Sequence, residues 1–376
     1  MSTPTRTATQ YTVRAFDPAD RATFLSMYET VFGHERSADW FRWKFRENPF
    51  ADHVPIIVAS DGGDPVGFRS FFAQELRAGD TILPAFQPCD TMVHPDHRKR
   101  GLFDRMNERA IERYTDGRPS CFFNFPNEHS KRGNRKHGWR EIGTVPAYYR
   151  PQNPAGVLER VATDTQHTTR SRSRASETGV AAAVTTKLRD VVTATHRVCD
   201  RLLVDAESTL EIERTTPPPA DTLAAVYRRS IPDAIHTNRT AAFYRWRFDN
   251  PAQTYISYVA RRAGEPVAAL VVSSAADHVR LVETLPRTLE TETAALEALL
   301  VAALDDFADR SYIEAFGETL PAPLRFRFYP DTRAPLSTLL RPTSRTLFAR
   351  NLTDGIDIES TSATSWTFSR LELDTT

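Results

Sequence analysis

The apolar positions in the first 150 residues form short continuous runs and one helical repeat, and each pattern predicts a different element. Short apolar runs at 54–60 and 66–72 flank the turn sequence DGGDP, which predicts two strands joined by a tight turn. Further strands are predicted near 86–94 and over 120–125, and a short helix near 128–136. A longer helix is predicted from apolar residues that recur at three- and four-residue spacing, namely Leu102, Phe103, Met106, Ala110, Ile111 and Tyr114. These elements predict an α/β domain with a mixed sheet.

A repeat relates two parts of the chain that lie about 200 residues apart. WFRWKF at 40–45 resembles FYRWRF at 243–248, and Asn-Pro follows both. GDPV at 63–66 matches GEPV at 264–267, and an apolar helical pattern precedes each copy. Because the matches keep their order, we interpret them as two copies of one domain. The predicted fold is α/β (α+β), with two domains that each contain a mixed, mostly antiparallel twisted sheet flanked by helices.

The predicted boundaries are residues 1–150 for the first domain, 151–205 for a linker and 206–376 for the second domain. Within the linker, Thr163–Thr178 is polar and low in complexity, so we expect it to be mobile and to be cut first by proteases. The spacing of apolar residues over 184–202 predicts an amphipathic helix that packs on one of the domains.

Composition excludes several classes of protein. The 376 residues are 40% hydrophobic and 26% charged with a net charge of zero, which is typical of a globular protein and gives no general footprint for nucleic acid or membrane. The three cysteines have no metal-binding spacing, so no metal is expected. The polar N-terminus lacks the apolar core of a signal peptide, and no apolar run approaches the roughly 18 residues of a membrane span. We therefore expect a cytoplasmic protein.

The sequence VHPDHRKRGLFDRM, at 93–106, places a basic loop and one glycine directly before a predicted helix. The free N–H groups at the start of a helix and the helix dipole attract an anion. Gly101 allows the backbone to approach such a ligand closely, and Arg98 offers two parallel hydrogen bonds to a phosphate. The loop is neither a Walker loop nor a dinucleotide fingerprint, since both glycine patterns are absent. It predicts a site for a pyrophosphate.

The same loop resembles the acyl-CoA loop VxPxxRxxGxG/A of the GNAT superfamily, with Val93, Pro95, Arg98 and Gly101 in register. The second GNAT signature, an asparagine after the fifth strand and a helix that ends in a Gly-aromatic pair, resembles NFPNEHSKRGNRKHGW at 124–139. The resemblance covers about residues 10–150. It implies an N-acetyltransferase that transfers an acetyl (acyl) group from acetyl-CoA to a primary amine of a small-molecule or peptide acceptor.

The resemblance also implies roles for particular residues. The backbone of Met92 and Val93 would pair with pantetheine, the amides from Arg100 to Phe103 would hold the pyrophosphate, and Asn127 would contact the cofactor arm. The complete set of cofactor-binding residues implied in this way is Met92, Val93, Arg98, Lys99, Arg100, Gly101, Leu102, Phe103, Asn127 and Ser130.

Two positions depart from the family pattern. Phe103 stands where glycine or alanine is usual, so we expect its ring to turn away from the cofactor into the core. Asn134 stands where many members have a tyrosine that protonates the departing thiolate. Tyr148 or Tyr149 could supply that acid instead, or the reaction could proceed without one, because a thiol with a pKa near 8.5 is a fair leaving group.

The reaction also requires a base that takes the proton from the amine. Asp90, two residues before Met92, is the candidate, and a purely structural carboxylate is an equally open interpretation. His94 and Glu75 are weaker candidates.

The second copy lacks the basic loop. The corresponding stretch, LPRTLETETAALEALL at 285–300, begins its helix with Glu290 and Glu292, which would repel a pyrophosphate. We therefore expect a degenerate copy that shapes the acceptor cleft or stabilises the first copy. The tail TSWTFSRLELD, at 364–374, resembles a tryptophan-containing strand of some tandem-domain members.

Two other functions remain open. The chain could be a catalytically silent acyl-CoA-binding module, which Phe103 and Asn134 favour. It could also be an RNA-binding protein that uses HRKR and SKRGNRKHGWR as one basic patch, although the neutral chain offers no wider basic surface. Binding of nucleic acid is therefore the least expected.

Overall fold

A computed structural model of the chain describes residues 11–152, 209–275, 277–288, 292–333, 345–355 and 357–374. The predicted mobile segment, the predicted amphipathic helix at 184–202 and Glu290 lie outside the described residues. The strands within the described residues are β1 Tyr11–Ala15, β2 Ile56–Asp61, β3 Asp64–Ala78, β4 Thr81–Val93, β5 Cys121–Asn124, β6 Arg140–Val145, β7 Ala147–Pro151, β8 Leu210–Thr215, β9 His236–Thr237, β10 Tyr255–Arg262, β11 Glu265–Ser274, β12 His278–Leu285, β13 Tyr312–Phe316, β14 Tyr329–Pro330 and β15 Arg345–Asn351.

Two mixed sheets contain these strands. The first has the order β1-β2-β3-β4-β5-β15-β6, with β9 paired to β3, and the second has the order β14-β7-β13-β12-β11-β10-β8. Neighbouring strands are antiparallel except for one pair in each sheet, β4 with β5 and β12 with β13. The predicted fold class, mixed sheets flanked by helices, is confirmed.

Each sheet contains at least one strand from the other half of the chain, and the first sheet contains two, the two-residue β9 and β15. The strand β15, at Arg345–Asn351, lies between β5 and β6 in the first sheet. The strand β7, at Ala147–Pro151, lies between β13 and β14 in the second sheet. Hydrogen bonds within both sheets therefore join the first segment of the chain to the last. The predicted domain limits at 150 and 206 remain predictions.

Helices cover both faces of each sheet. Within the described residues they are α1 Arg21–Phe32, α2 Ala38–Phe41, α3 Leu102–Tyr114, α4 Glu128–Lys136, α5 Ala220–Arg228, α6 Ala241–Phe248 and α7 Thr293–Asp306. Local signals set several of their ends: Ser37 caps α2, Thr240 caps α6, and α1 ends at Gly33 in the left-handed conformation. None of these helices is long and apolar enough to span a membrane.

The repeated aromatic segments meet each other in the core. A short π-helical turn, Arg42–Arg46, follows α2 and carries Trp43, and α6 carries Trp246. The indole of Trp43 donates to the carbonyl of Trp246 at 2.7 Å, and the indole of Trp246 donates to the carbonyl of Trp43 at 2.9 Å. The two rings stack at 5.7 Å. Both tryptophans are buried, and they occupy reciprocal positions, as the repeat suggests.

The tail at 364–374 does not form the expected strand. Trp366 makes an isolated bridge with Ile235, and short 3-10 turns occur at Ala363–Ser365 and Arg370–Glu372. Ser369 caps the second turn with its side chain, which favours a turn over an extended strand. The final residues of the described tail, Leu371, Glu372 and Leu373, are buried between the two halves.

Candidate active site

The strands β4 and β5 pair over a short distance and then separate. They form parallel pairs at Ala85–Cys121 and Phe86–Phe122, after which β4 continues to Val93 while β5 ends at Asn124. The far part of β4 therefore has an open edge between the helices α3 and α4. This opening corresponds to the place where the family resemblance puts the cofactor arm.

A β-bulge interrupts β4 at the separation. Phe68 pairs with Met92 and Ser70 pairs with Cys89, so β4 has one residue more than β3 in this interval. Asp90 lies in this bulge and has a φ of 41°, an uncommon angle for a residue other than glycine. The bulge directs the side chain of Asp90 toward the face that α1 covers.

The basic loop leads into the first turn of α3 as predicted. A 3-10 turn at Pro95–His97 follows β4, Lys99 has a φ of 62°, and Gly101 has a φ of 73° at the N-cap position. No side chain caps α3, so the N–H groups of Leu102 and Phe103 have no side-chain partner at this end. The prediction that α3 begins directly after Gly101 is confirmed, and the local geometry fits an anion site.

The arginine side chains of the loop are exposed and make few contacts. Arg98 donates through Nε to the carbonyl of Val93 at 3.2 Å, and Arg100 donates to the carbonyl of Asp96 at 3.4 Å. Arg98 therefore holds the loop against the end of β4 and also occupies the Val93 carbonyl that the resemblance assigns to pantetheine. Lys99 is exposed.

The two asparagines of the second signature have local partners. Asn127 is exposed and caps α4, because its Oδ1 accepts from the N–H of Ser130 at 3.0 Å. Asn134 is 1% exposed, and its Nδ2 donates to Oδ1 of Asn124 at 3.0 Å. Asn134, which stands where the family resemblance places a proton-donating tyrosine, therefore faces the end of β5. Contact of Asn127 and Ser130 with a cofactor stays a prediction.

Phe103 does not turn into the core. Its side chain is half-buried, and its ring extends from the first turn of α3 toward α4, where a Cβ on Gly133 would lie 2.5 Å from Cε1 of the ring. The guanidinium of Arg69 lies 5.2 Å from the centre of the same ring. The ring keeps clear of the core because Leu102, Met106 and other side chains already fill that space.

Asp90 forms an ion pair on the opposite face of the sheet. The ammonium of Lys44 lies 2.7 Å from Oδ2 of Asp90 and 3.6 Å from Oδ2 of Asp374. Burial disfavours the charge on Lys44, but Asp90 and the other neighbouring groups outweigh burial and raise the pKa of the ammonium above its ordinary value. Lys44 is therefore protonated at neutral pH.

Asp374 is the residue of this site that the sequence did not indicate. Burial and the nearby charge of Asp90 raise the pKa of Asp374, and Lys44 opposes that rise. Oxygens of Asp90 and Asp374 and the sulfur of Cys89 lie within 4.8 Å of one another, but Lys44 already supplies the positive charge at this cluster. Burial raises the pKa of the Cys89 thiol well above its ordinary value, so it stays protonated.

A cavity of about 40 Å³ adjoins this cluster. The residues that line it are Tyr28, Arg36, Trp40, Trp43, Lys44, Asp90, Asn250, Ala252, Gln253 and Asp374. Both halves of the chain therefore contribute to the space next to Asp90.

Tyr148 and Tyr149 do not line this cavity, because both belong to β7 in the second sheet. Tyr149 is buried against Tyr312, and Tyr148 lies near the guanidinium of Arg325. Their assignment as the acid stays a prediction, and the structure gives both side chains packing contacts.

The two weaker candidates for the base also have structural partners. Glu75 accepts a hydrogen bond from the side chain of Asn238 at 3.2 Å. His94 accepts from the N–H of Asp96 at 3.4 Å and is half-buried at the end of β4. Among the predicted acid–base residues, Asp90 is the one that lies beside both a second carboxylate and a cavity.

The second half has a different structure where the loop would be. Arg287, which follows β12, is buried and forms an ion pair with Glu283 at 2.9 Å. Glu292 precedes α7 and pairs with Arg262 at 3.2 Å. Among the described residues, the two arginines near the start of α7 are thus paired with carboxylates. The lack of a pyrophosphate site there stays a prediction.

Comparison with known proteins gives one family and several similar folds. A family model described as "Acetyltransferase (GNAT) domain" matches residues 12–142. No curated protein has a sequence that matches this chain.

Three solved structures illustrate the similarity in fold. A GCN5-related N-acetyltransferase from Anabaena variabilis has a TM-score of 0.56 at 10% identity and covers 91% of this chain and 73% of that chain. A GCN5-related N-acetyltransferase from Kribbella flavida has a TM-score of 0.56 at 11% identity, covering 91% and 71%. A protein from Enterococcus faecalis, described as a probable N-acyltransferase, has a TM-score of 0.56 at 10% identity, covering 92% and 73%.

The matched segment begins in β1 and ends in β6, so it includes the bulge at Asp90, the loop at 93–101 and the uncapped start of α3. The same segment contains the separation of β4 from β5. Residues 12–142 of this chain form a domain of the GNAT acetyltransferase family.

Proposed function

We propose that the chain transfers an acyl group, most simply acetyl, from acyl-CoA to a primary amine. The observation that carries this proposal is the uncapped first turn of α3, which Gly101 opens at the point where β4 leaves β5. A diphosphate fits N–H groups at a helix start, and the pantetheine arm requires an open strand edge such as the one on β4.

The acceptor amine would reach the thioester from the face that holds Asp90. Attack by a neutral amine forms a C–N bond and places negative charge on the thioester oxygen, which backbone N–H groups at the bulge can stabilise. The amine proton then passes to a carboxylate, directly or through water. Asp374 suits this role better than Asp90, because its pKa is raised and because Lys44 is closer to Asp90.

The departing thiolate would take its proton without a tyrosine. Asn134 can donate a hydrogen bond but has no proton to transfer. The CoA thiolate is a stable leaving group compared with an alkoxide, since thiols have pKa values near 8.5. Solvent can therefore complete the step after the C–S bond breaks.

The proposal is tested by measuring free CoA thiol from acetyl-CoA with a panel of amino sugars, polyamines, aminoglycosides and peptides. We expect at least one amine to increase thiol release above the rate without acceptor, with the matching N-acetyl product detected by mass spectrometry. The absence of release with every amine, in a protein that binds acetyl-CoA, would contradict transfer.

A second function is acyl-CoA binding without transfer. The absence of thiol release with every amine would favour this function. Phe103 places a ring in the groove between α3 and α4, and Asn134 removes the usual acid. Binding of acetyl-CoA measured by calorimetry, combined with no N-acetyl product, would identify the chain as a binding module.

A further inference from the structure

A buried guanidinium that has no carboxylate partner among the described residues lies below the first turn of α3. Arg69, in β3, is 3% exposed, and its Nη1 donates to Oγ1 of Thr91 at 2.9 Å. Its Nε is buried without a hydrogen-bond partner, and Arg69 forms no ion pair with the residues that the structure describes. Burial lowers the pKa of Arg69 to about 10, so the side chain still carries its charge at neutral pH. An uncompensated buried charge destabilises a folded protein, so its presence requires an explanation.

The surroundings of Arg69 lead toward the proposed cofactor site. Thr91 directly follows the bulge at Asp90, on the strand that separates from β5. The ring of Phe103, the second residue of α3, lies 5.2 Å from the guanidinium carbon and extends to Gly133 in α4. A single aromatic ring therefore separates the buried charge from the groove between the two helices. Movement of that ring would expose the guanidinium beside the free N–H groups of α3.

The second half of the chain provides an internal comparison. Counted from the repeated GDPV and GEPV segments, the residue that corresponds to Arg69 is Leu270. Leu270 is 1% exposed and belongs to an apolar cluster that packs on α7. The half without the basic loop thus has an ordinary apolar residue where the half with the loop has a buried charge. Packing of the sheet alone does not require an arginine at this position.

We propose that Arg69 binds the diphosphate of acyl-CoA together with the first-turn N–H groups of α3, after the ring of Phe103 moves aside. The diphosphate is the nearest anion that the ligand would bring, since Phe103 itself belongs to that turn. A bound anion would neutralise the guanidinium and supply a partner for its unpaired Nε. This inference rests on the proposed function, because it assigns a residue to the same cofactor.

The test compares the binding of CoA and of pantetheine to the full-length chain and to its Arg69→Met variant. Methionine is an unbranched apolar side chain that adapts to the space of the arginine stem. We expect the variant to bind CoA about 10- to 100-fold more weakly, as the loss of a charged hydrogen bond implies, with binding of pantetheine unchanged. Arg69→Lys, which keeps the charge, should lose less affinity for CoA than Arg69→Met.

The thermal stability of the same variants separates a binding role from a structural one. Without ligand, Arg69→Met should unfold at the same temperature as the unsubstituted chain or at a higher one, because the substitution removes an uncompensated buried charge. Arg77→Met is the control: Arg77 lies on the same strand but pairs with Asp80, and its loss should leave the affinity for CoA unchanged.

Three outcomes would overturn the assignment of Arg69: an unchanged affinity for CoA, an equal loss of affinity for pantetheine, or a loss restricted to succinyl-CoA. The last outcome would assign the guanidinium to a carboxylate on the acyl group. Failure of the unsubstituted chain to bind CoA would instead contradict the proposed function, so the two failures are distinguishable.

Discussion

At the scale of single residues, the backbone angle of Gly101 determines where α3 begins. Its φ of 73° lies in the left-handed region, where an L-residue costs about 1–2 kcal/mol, although no atom lies within 4 Å of the position a Cβ would take. The backbone angle and the proposed diphosphate ligand therefore limit which residues can replace Gly101. The surrounding side chains leave room for a larger residue.

We predict that Gly101→Glu abolishes binding of acetyl-CoA and leaves the fold largely intact. The carboxylate would stand where the diphosphate approaches, and the strain at φ 73° is small compared with the stability of a folded chain. Titration calorimetry and circular dichroism measure the two effects. Gly101→Asn is the control, because asparagine tolerates the left-handed region and carries no charge. A dissociation constant unchanged by glutamate would remove the loop from the binding site.

A second prediction concerns Asp374, which lies 3.6 Å from Lys44. If it accepts the amine proton, Asp374→Asn should lower kcat by about 10²- to 10⁴-fold with little change in KM for acyl-CoA. Steady-state kinetics with the best amine checks this, and Asp354→Asn, a change at an exposed aspartate, is the control. Retention of kcat in Asp374→Asn would return the role of base to Asp90 or to water.

At the scale of elements, the two aromatic segments act as one unit. The indoles of Trp43 and Trp246 each donate to the carbonyl of the other residue, and the rings stack. These contacts join the turn after α2 to α6 and thereby join the two halves of the chain. The core around them contains side chains from both sheets.

We predict that Trp43→Ala or Trp246→Ala lowers the free energy of unfolding by about 3–5 kcal/mol, as large core truncations do. The double variant should cost less than the sum of the single variants by about 0.5–1.5 kcal/mol, because each substitution already removes the stacked pair. Urea unfolding measures these values. Tyr329→Ala, at a side chain that is 46% exposed, should change stability by about 0.5 kcal/mol or less. Additive losses would mean that the two rings do not interact.

The elements of the first 145 residues could be predicted from the sequence because their signals are local. The apolar spacing of α3, the turn between β2 and β3, and Gly101 before a helix each depend on a few neighbouring residues. The exchange of β7 and β15 could not be predicted in this way, since the apolar pattern of a strand determines which face is buried and does not identify the neighbouring strand. Asp374 was missed for a similar reason, because it reaches Lys44 only through the path of a tail with no regular period.

At the scale of the whole molecule, buried charges fix the tail between the two halves. Glu372 and Arg239 are fully buried and form an ion pair at 2.9 Å, and Arg239 also pairs with Glu283. Burial alone would raise the pKa of Glu372, but Arg239 and Arg287 outweigh burial and lower it to about 2. The tail thus contributes charge as well as apolar surface to the contact between the halves.

This lowered pKa predicts how stability depends on pH. A carboxyl group whose pKa falls from 4.5 to about 2 on folding stabilises the protein above pH 4.5, and that contribution is lost as the pH falls toward 2. The loss is on the order of 3 kcal/mol. Glu372→Gln should be less stable at pH 7 and should lose less stability between pH 4.5 and pH 2, which urea unfolding at several pH values measures.

His236 has a pKa lowered to about 3, mainly by burial, and the charge of Glu372 opposes this lowering, so Glu372→Gln also lowers the pKa of His236 further. If the free energy of unfolding depends on pH in the same way in the unsubstituted chain and in Glu372→Gln, the folded protein does not lower the pKa of Glu372.

The exchanged strands also constrain how such a chain can change over generations. The second half lacks the basic sequence that precedes α3 in the first half. Deletion of that half would nevertheless remove β15 and open the first sheet between β5 and β6, at the side where the GNAT domain ends. The first sheet is therefore complete only with a segment of the second half, so a chain shortened to end before residue 345 would lack one of its inner strands.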